Sequence, residues 1–149
     1  MTRVSELALR LLERVHGHLG VLTAAALAHP AIVLRRPGRR ANLAVGLAAG
    51  LPVMTAALGI ALYPTYRERL KQGIFIDARG FGYAFERKEH LAFGVVALAL
   101  CGAAAYVRGR AGDADPRVAR AAHIAFVAAF AMAIATACLG TAVASFRSF

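Results

Sequence analysis

Residues 15–40 read VHGHLGVLTAAALAHPAIVLRRPGRR, and this stretch decides the fold. From Val15 to Leu34 there is no Asp, Glu, Lys or Arg. At about 1.5 Å of rise per residue, a helix of this length crosses a hydrocarbon core of roughly 30 Å. The run then stops in Arg35-Arg36-Pro37-Gly38-Arg39-Arg40, four arginines around a Pro-Gly turn. Span, basic turn and return make a helical hairpin. Three further stretches without charge follow, Ala41 to Tyr66, His90 to Val107 and Ala121 to Phe146. With the third extended back, the expected spans are 15–34, 41–66, 86–107 and 120–146. The fold class is therefore all-α: an integral membrane four-helix up-down bundle, read as one domain over residues 1–149.

Composition agrees. The chain has 149 residues, 59% of them hydrophobic, and a mean hydropathy of +0.58, too apolar for an ordinary soluble domain of this size. Four spans leave no length for a separate catalytic domain. The net charge of +10 does not indicate nucleic acid, because the arginines cluster beside apolar spans, where they orient helices and meet lipid headgroups. The basic turns at 35–40 and 108–120 are expected on the cytoplasmic side of a bacterial inner membrane, with both termini and the 67–85 connection outside. Leu27-Ala-His-Pro-Ala31 is a poor cleavage site, so the first span is expected to stay with the chain. Residues 1–14 alternate apolar and charged positions at helical spacing, which predicts an amphipathic N-terminal helix. The 67–85 connection mixes Gly73, Gly80 and Gly82 with Phe75, Phe81, Tyr83 and Phe85 and is expected to be an outer loop capping the bundle. Cys101 and Cys138 form no CxxC pair and are read as small packing residues. No GxGxxG, P-loop, GxSxG or HExxH motif is present.

The two hairpins read as a weak repeat. His18-Leu19 aligns with His90-Leu91, and Leu58-Gly59 with Leu139-Gly140; the second offset sets Asn42 opposite His123.

The histidines carry the functional expectation, since ionisable groups at membrane depth are costly and imidazole is a common metal and haem-iron ligand. His18 and His29 are eleven residues apart, hence within about 20° of one another on a helix and roughly 16 Å apart along it. Leu22 and Ala25 lie between them on that stripe, while His16 points nearly the opposite way. Topology sets His18 level with His90 near the outer face, and His29 level with His123 near the inner one. Helices one and three of an up-down bundle are diagonal, so His18 and His90 form the expected axial pair for a haem. The inner pair, His29 and His123, is weaker, and equally fits a second haem, a copper or zinc ion, or nothing but hydrogen bonds. Arg87 outside and Arg36 inside suit the propionates, because guanidinium binds carboxylate bidentately.

The pattern is similar to compact four-helix membrane b-type cytochromes. That resemblance implies electron transfer through one or two haem b groups, with a quinol or a redox protein as partner. CxxCH is absent, so covalent c-type attachment is excluded. Two alternatives stand beside it. Glu13-x-x-His16 and the Glu86/His90 pair have spacings used by carboxylate–histidine di-metal sites. The alanine-rich fourth span suits a non-catalytic subunit of a larger membrane complex or a homo-oligomer.

Overall fold

The computed structural model describes residues 6–36, 38–110 and 115–146, and all of its regular structure is helical. Helix α1 runs from Glu6 to Val33, so the amphipathic segment, from Glu6 onward, continues directly into the first apolar stretch. Residues 1–5 lie outside the described part. Pro30 falls one turn from the end of α1, where its missing N–H leaves the Ala26 carbonyl without its helical donor, while the Leu34 N–H still reaches the Pro30 carbonyl at 3.0 Å. Gly38 follows with φ +79, a left-handed conformation that glycine adopts without steric cost.

Helix α2 spans Asn42–Tyr66 and does not stop there. It passes through a π-helical turn, Arg67–Lys71, into α3, Gln72–Asp77. Ala78, at φ −155 and ψ 84, breaks the rod, and α4 occupies Arg79–Arg108. The expected 67–85 loop is thus helix on both sides of one bend. The reason is in its side chains. Leu70, Ile74 and Phe85 recur at helical spacing and bury together against Val143, which outweighs the propensity cost of about 1 kcal/mol for each glycine. Helix α5 covers Pro116–Phe146. Pro116 suits a first helical position, and the Asp115 carboxylate accepts the Arg117 N–H at 2.8 Å as the cap.

Among the described residues, three helical stretches are long and apolar enough to cross a membrane: Asn42–Asp77, Arg79–Arg108 and Pro116–Phe146. Helix α1 is not among them; His16, His18 and His29 all fall in its apolar stretch.

Helix α1 packs on α2 and α5, α2 on α4, and α4 most extensively on α5. The long helices therefore form a ring in the order α1, α2, α4, α5. Its core is made mostly of small residues, Ala24, Ala31, Ala48, Ala99, Ala129 and Ala133, around the fully buried Leu27 and Phe126. Gly102 admits the Phe126 ring, which lies 3.1 Å from where a Cβ would stand. Large apolar side chains face outward instead, among them Val21, Ile32, Leu43, Met54, Phe93 and Ile124. A second cluster closes one end, with Tyr66 stacked on Phe85 at 4.8 Å and Phe81 on Phe146 at 4.7 Å.

Burial repeats between the hairpins. The buried α2-side residues Ala41, Val45, Ala48, Pro52 and Leu62 each lie 81 positions before a buried α5 residue: Ala122, Phe126, Ala129, Ala133 and Val143. Between α1 and α4 the offset is 72, pairing buried Thr23, Leu27 and Pro30 with buried Val95, Ala99 and Gly102. These are the offsets that align His18 with His90 and Gly59 with Gly140.

Candidate functional site

The face shared by His18 and His29 is real, but it is the outward one. His18, Leu22, Ala25 and His29 are all exposed. The inward stripe of α1 carries Leu9, Thr23 and Leu27, and His16, eleven residues before Leu27, falls on it. His16 and not His18 therefore enters the bundle. Its ring rests against Gly59, where a Cβ would lie 3.0 Å from Cε1, and its Nδ1 is sealed from solvent with no hydrogen-bond partner. A helix without polar–apolar contrast gives a poor signal for its inward face. Here the small residues pack inward and the large ones turn out, as in lipid-embedded bundles.

His18 and His90 behave alike. Each is exposed, and each ring Nδ1–H donates to the carbonyl four residues earlier, Arg14 or Glu86, at 2.7 Å. They stand on α1 and α4, which do not adjoin in the ring. His29 is exposed; His123 is half-buried with an unpartnered Nδ1. Arg87 and Arg36 are exposed, as are Cys101 and Cys138. The four histidines are not brought together inside the bundle. Among the described residues, no group of three or more His, Cys, Asp or Glu side chains is placed to hold a metal ion.

A different set of groups converges at the capped end. Lys88 of α4 runs past Gly140 of α5, its Cδ 3.4 Å from the position of a Cβ there, and sets its ammonium 4.6 Å from the centre of the Phe85 ring. Glu13 of α1 lies within electrostatic reach of Lys88 and of Tyr66, and Lys88 within reach of His16. At the rim, the Lys71 ammonium is 3.2 Å from Glu86 and 4.0 Å from Glu89, and donates to the Tyr63 hydroxyl at 3.5 Å. Burial works against the Lys71 charge. The hydrogen bonds to Glu86 and Tyr63 and the field of Glu89 outweigh it and hold the ammonium above the ordinary lysine value of 10.5. Glu13 is marked in the sequence only by its spacing to His16, and Lys71 and Lys88 read as interfacial charge. The signal that singles out Lys88 is the repeat. It lies 72 residues after His16, and each of the two rests on the glycine of a matched Leu-Gly pair.

The opposite end carries a second polar group. The Tyr106 hydroxyl accepts the Ala41 N–H at 2.8 Å and an Arg110 N–H at 3.3 Å, and donates to Asn42 Oδ1 at 2.7 Å. Between the two ends, the Thr23 and Thr55 hydroxyls pair across α1 and α2 at 2.9 Å.

The chain matches no known protein family, no curated protein and no solved structure with which it was compared.

Proposed function

We propose that the chain is an integral membrane protein of two related helical hairpins, crossing the bilayer four times as an up-down bundle. On this reading it exchanges protons at its capped end. Membrane embedding is supported by the inverted packing, in which large apolar side chains point out from a core of alanines. Eight arginines against two aspartates at the two hairpin turns orient those turns to the cytoplasm; the rest of the chain carries ten basic residues against six acidic ones, and the capped end lies outside.

The observation that carries the functional reading is that Lys88 of α4 and Tyr66 of α2 meet at the Phe85 ring, 4.6 and 4.8 Å from its centre, with Glu13 and His16 of α1 within electrostatic reach. Ionisable groups facing a bundle interior mark proton and ion sites, since a purely structural role would be filled more cheaply by apolar residues. The centre of the bundle is sealed by Leu27, Ala48, Ala99, Phe126 and Ala129, so the exchange is one-sided. Infrared difference spectroscopy of the protein in liposomes tests this. A carboxyl band that appears and disappears as the outer pH is stepped, and that is lost in Glu13→Gln, is expected. Identical spectra for Glu13→Gln and the parent would overturn it.

Electron transfer through haem b is the second reading, and one observation favours it. In both His18 and His90 the Nδ1–H is tied to a backbone carbonyl, which fixes the tautomer that offers Nε2 to iron. Both rings are exposed on helices that do not adjoin, so they do not fit a haem clasped within one bundle; a shared haem would lie between copies of the chain. A Soret band that shifts on reduction, and is lost in His18→Ala and His90→Ala, is the expected sign. Colourless protein purified from haem-replete cells would remove this reading.

A further inference from the structure

The seam between α2 and α4 opens at the arginine-rich end into a groove of about 430 Å³. Its wall is lined by Gly46, Ala49 and Ala103, and its end by Asn42, Tyr106 and Arg110. We propose that this groove binds one anionic phospholipid of the cytoplasmic leaflet. The phosphate sits at Arg110 and Asn42, and one acyl chain lies along Gly46, Ala49 and Ala103. The proposal rests on the four-crossing reading given above and is independent of proton exchange at the other end.

Three features select this occupant. The wall is apolar, with Val45 and Val107 beside the small residues Gly46, Ala49 and Ala103, and nothing lies within 4 Å of a Cβ built on Gly46. Such a slot in a lipid-facing surface takes a chain of methylenes. The polar end, by contrast, is built. Arg110 is held by its N–H to the Tyr106 hydroxyl at 3.3 Å and by its position over the same ring, 5.6 Å from the centre. Tyr106 is itself buried and pinned by Ala41 and Asn42. A positioned guanidinium beside a carboxamide suits phosphate oxygens. The charge, finally, is one-signed. No carboxylate lines the groove, the exposed Arg39, Arg40 and Arg108 lie within three residues of its lining residues in sequence, and the first-turn amides of the 25-residue α2 open at the same end. Basic pockets between helices at the cytoplasmic face are suited to anionic headgroups.

The test is native mass spectrometry of the full chain, delipidated in mild detergent and offered equimolar dioleoyl phosphatidylglycerol and dioleoyl phosphatidylcholine. One phosphatidylglycerol should be retained in preference to phosphatidylcholine. Arg110→Gln should lower that retention about fivefold, the effect of one arginine near a headgroup. Gly46→Leu, whose Cβ would meet nothing within 4 Å and whose remaining carbons extend from the groove wall, should lower retention of both lipids. Equal retention of the two lipids, unchanged retention in both variants, or displacement by millimolar inorganic phosphate would each overturn the proposal. Loss of dimer instead of loss of lipid in Gly46→Leu would assign the groove to a second copy of the chain. Alkaline carbonate extraction separates the two levels. A chain that stays in the membrane but shows no lipid preference refutes the groove alone; a chain released by carbonate removes the four-crossing reading and the lipid site with it.

Discussion

The assignment of His16 to the bundle interior stands or falls on a pair of glycine replacements. In a helix interior, Gly→Ala is worth about 0.8–1 kcal/mol in favour of alanine. At Gly140 that gain should be realised almost in full, because the nearest atom to a new Cβ is Lys88 Cδ at 3.4 Å, ordinary contact with a flexible chain. At Gly59 the new Cβ would lie 3.0 Å from Cε1 of His16 and 3.7 Å from both ring nitrogens. Carbon atoms prefer about 3.5–4.0 Å. The ring would have to retreat by a few tenths of an ångström into a bundle that already seals its Nδ1. Overpacking of this kind costs about 1–3 kcal/mol, enough to cancel or reverse the propensity gain. Gly140→Ala is therefore expected to stabilise by about 0.5–1 kcal/mol, and Gly59→Ala to be neutral or destabilising by up to about 2 kcal/mol. In a His16→Ala background the clash disappears, so Gly59→Ala should become stabilising. In a His18→Ala background it should not change. The assay is reversible unfolding in mixed micelles by sodium dodecyl sulfate titration, followed by circular dichroism. If Gly59→Ala and Gly140→Ala shift the midpoint alike, or if His18→Ala instead of His16→Ala rescues Gly59→Ala, the inward face of α1 is misassigned.

Three further outcomes follow from named contacts. Tyr106→Phe leaves the Ala41 N–H without its acceptor in a buried position and should cost about 1–3 kcal/mol; the Ala41 amide should lose its protection from hydrogen exchange, and unchanged protection would contradict the network. Lys71→Met removes a half-exposed ion pair and a cation–π contact, together about 1 kcal/mol. Because the folded Lys71 value is raised, its stabilisation is complete below pH 10.5 and is lost as pH rises through the elevated value. Thermal melts of the parent and variant should thus differ by a constant amount at neutral pH and converge in strong alkali; a gap that widens with pH contradicts this sign. Thr55→Val breaks the 2.9 Å hydroxyl pair with Thr23 and the local 2.8 Å bond to the Leu51 carbonyl, and should cost about 0.6 kcal/mol, typical of interhelical hydrogen bonds in membranes; a loss beyond about 2 kcal/mol would contradict this weight for the pair.

The helices were legible in the chain, and their inward faces were not. Arg35 to Arg40 and the absence of charge from Val15 to Leu34 suffice to predict a hairpin, because length and charge are one-dimensional quantities. Orientation about the axis needs contrast. In α1 the apolar stretch offers leucine, valine and alanine on every side, so the alignment of His18 with His29 stood out while the inward line of Leu9, His16, Thr23 and Leu27 did not. The 67–85 segment was misread for a related reason. Its glycines signal a loop locally, whereas Leu70, Ile74 and Phe85 find their partner, Val143, only in the tertiary structure. The polar cluster at the capped end is hard to read in sequence because Lys71 and Lys88 have an unremarkable interfacial neighbourhood and Glu13 is marked only by its spacing to His16; packing brings them to one end.

The repeat makes the remaining argument. Five buried positions of the α2 side recur at one spacing in α5, and Thr55 and Thr136 both return their hydroxyls to the carbonyl four residues before, at 2.8 Å in each case. A common packing scheme therefore governs both hairpins. Against that background, the places where equivalent positions differ in chemistry carry the information. His16 is matched by Lys88 and Asn42 by His123, one pair at each end of the bundle. A symmetric scaffold needs neither difference for packing, since alanines and glycines fill its seams already. Substituting each member of a pair with its partner's residue separates scaffold from function. His16→Lys should leave the fold intact, because Lys88 shows that a lysine chain can lie along the matching glycine. It should nevertheless abolish the outer proton exchange, since a second lysine beside Lys88 repels its charge and removes the imidazole. A His16→Lys protein that retains the carboxyl titration would show that the cluster's asymmetry is incidental.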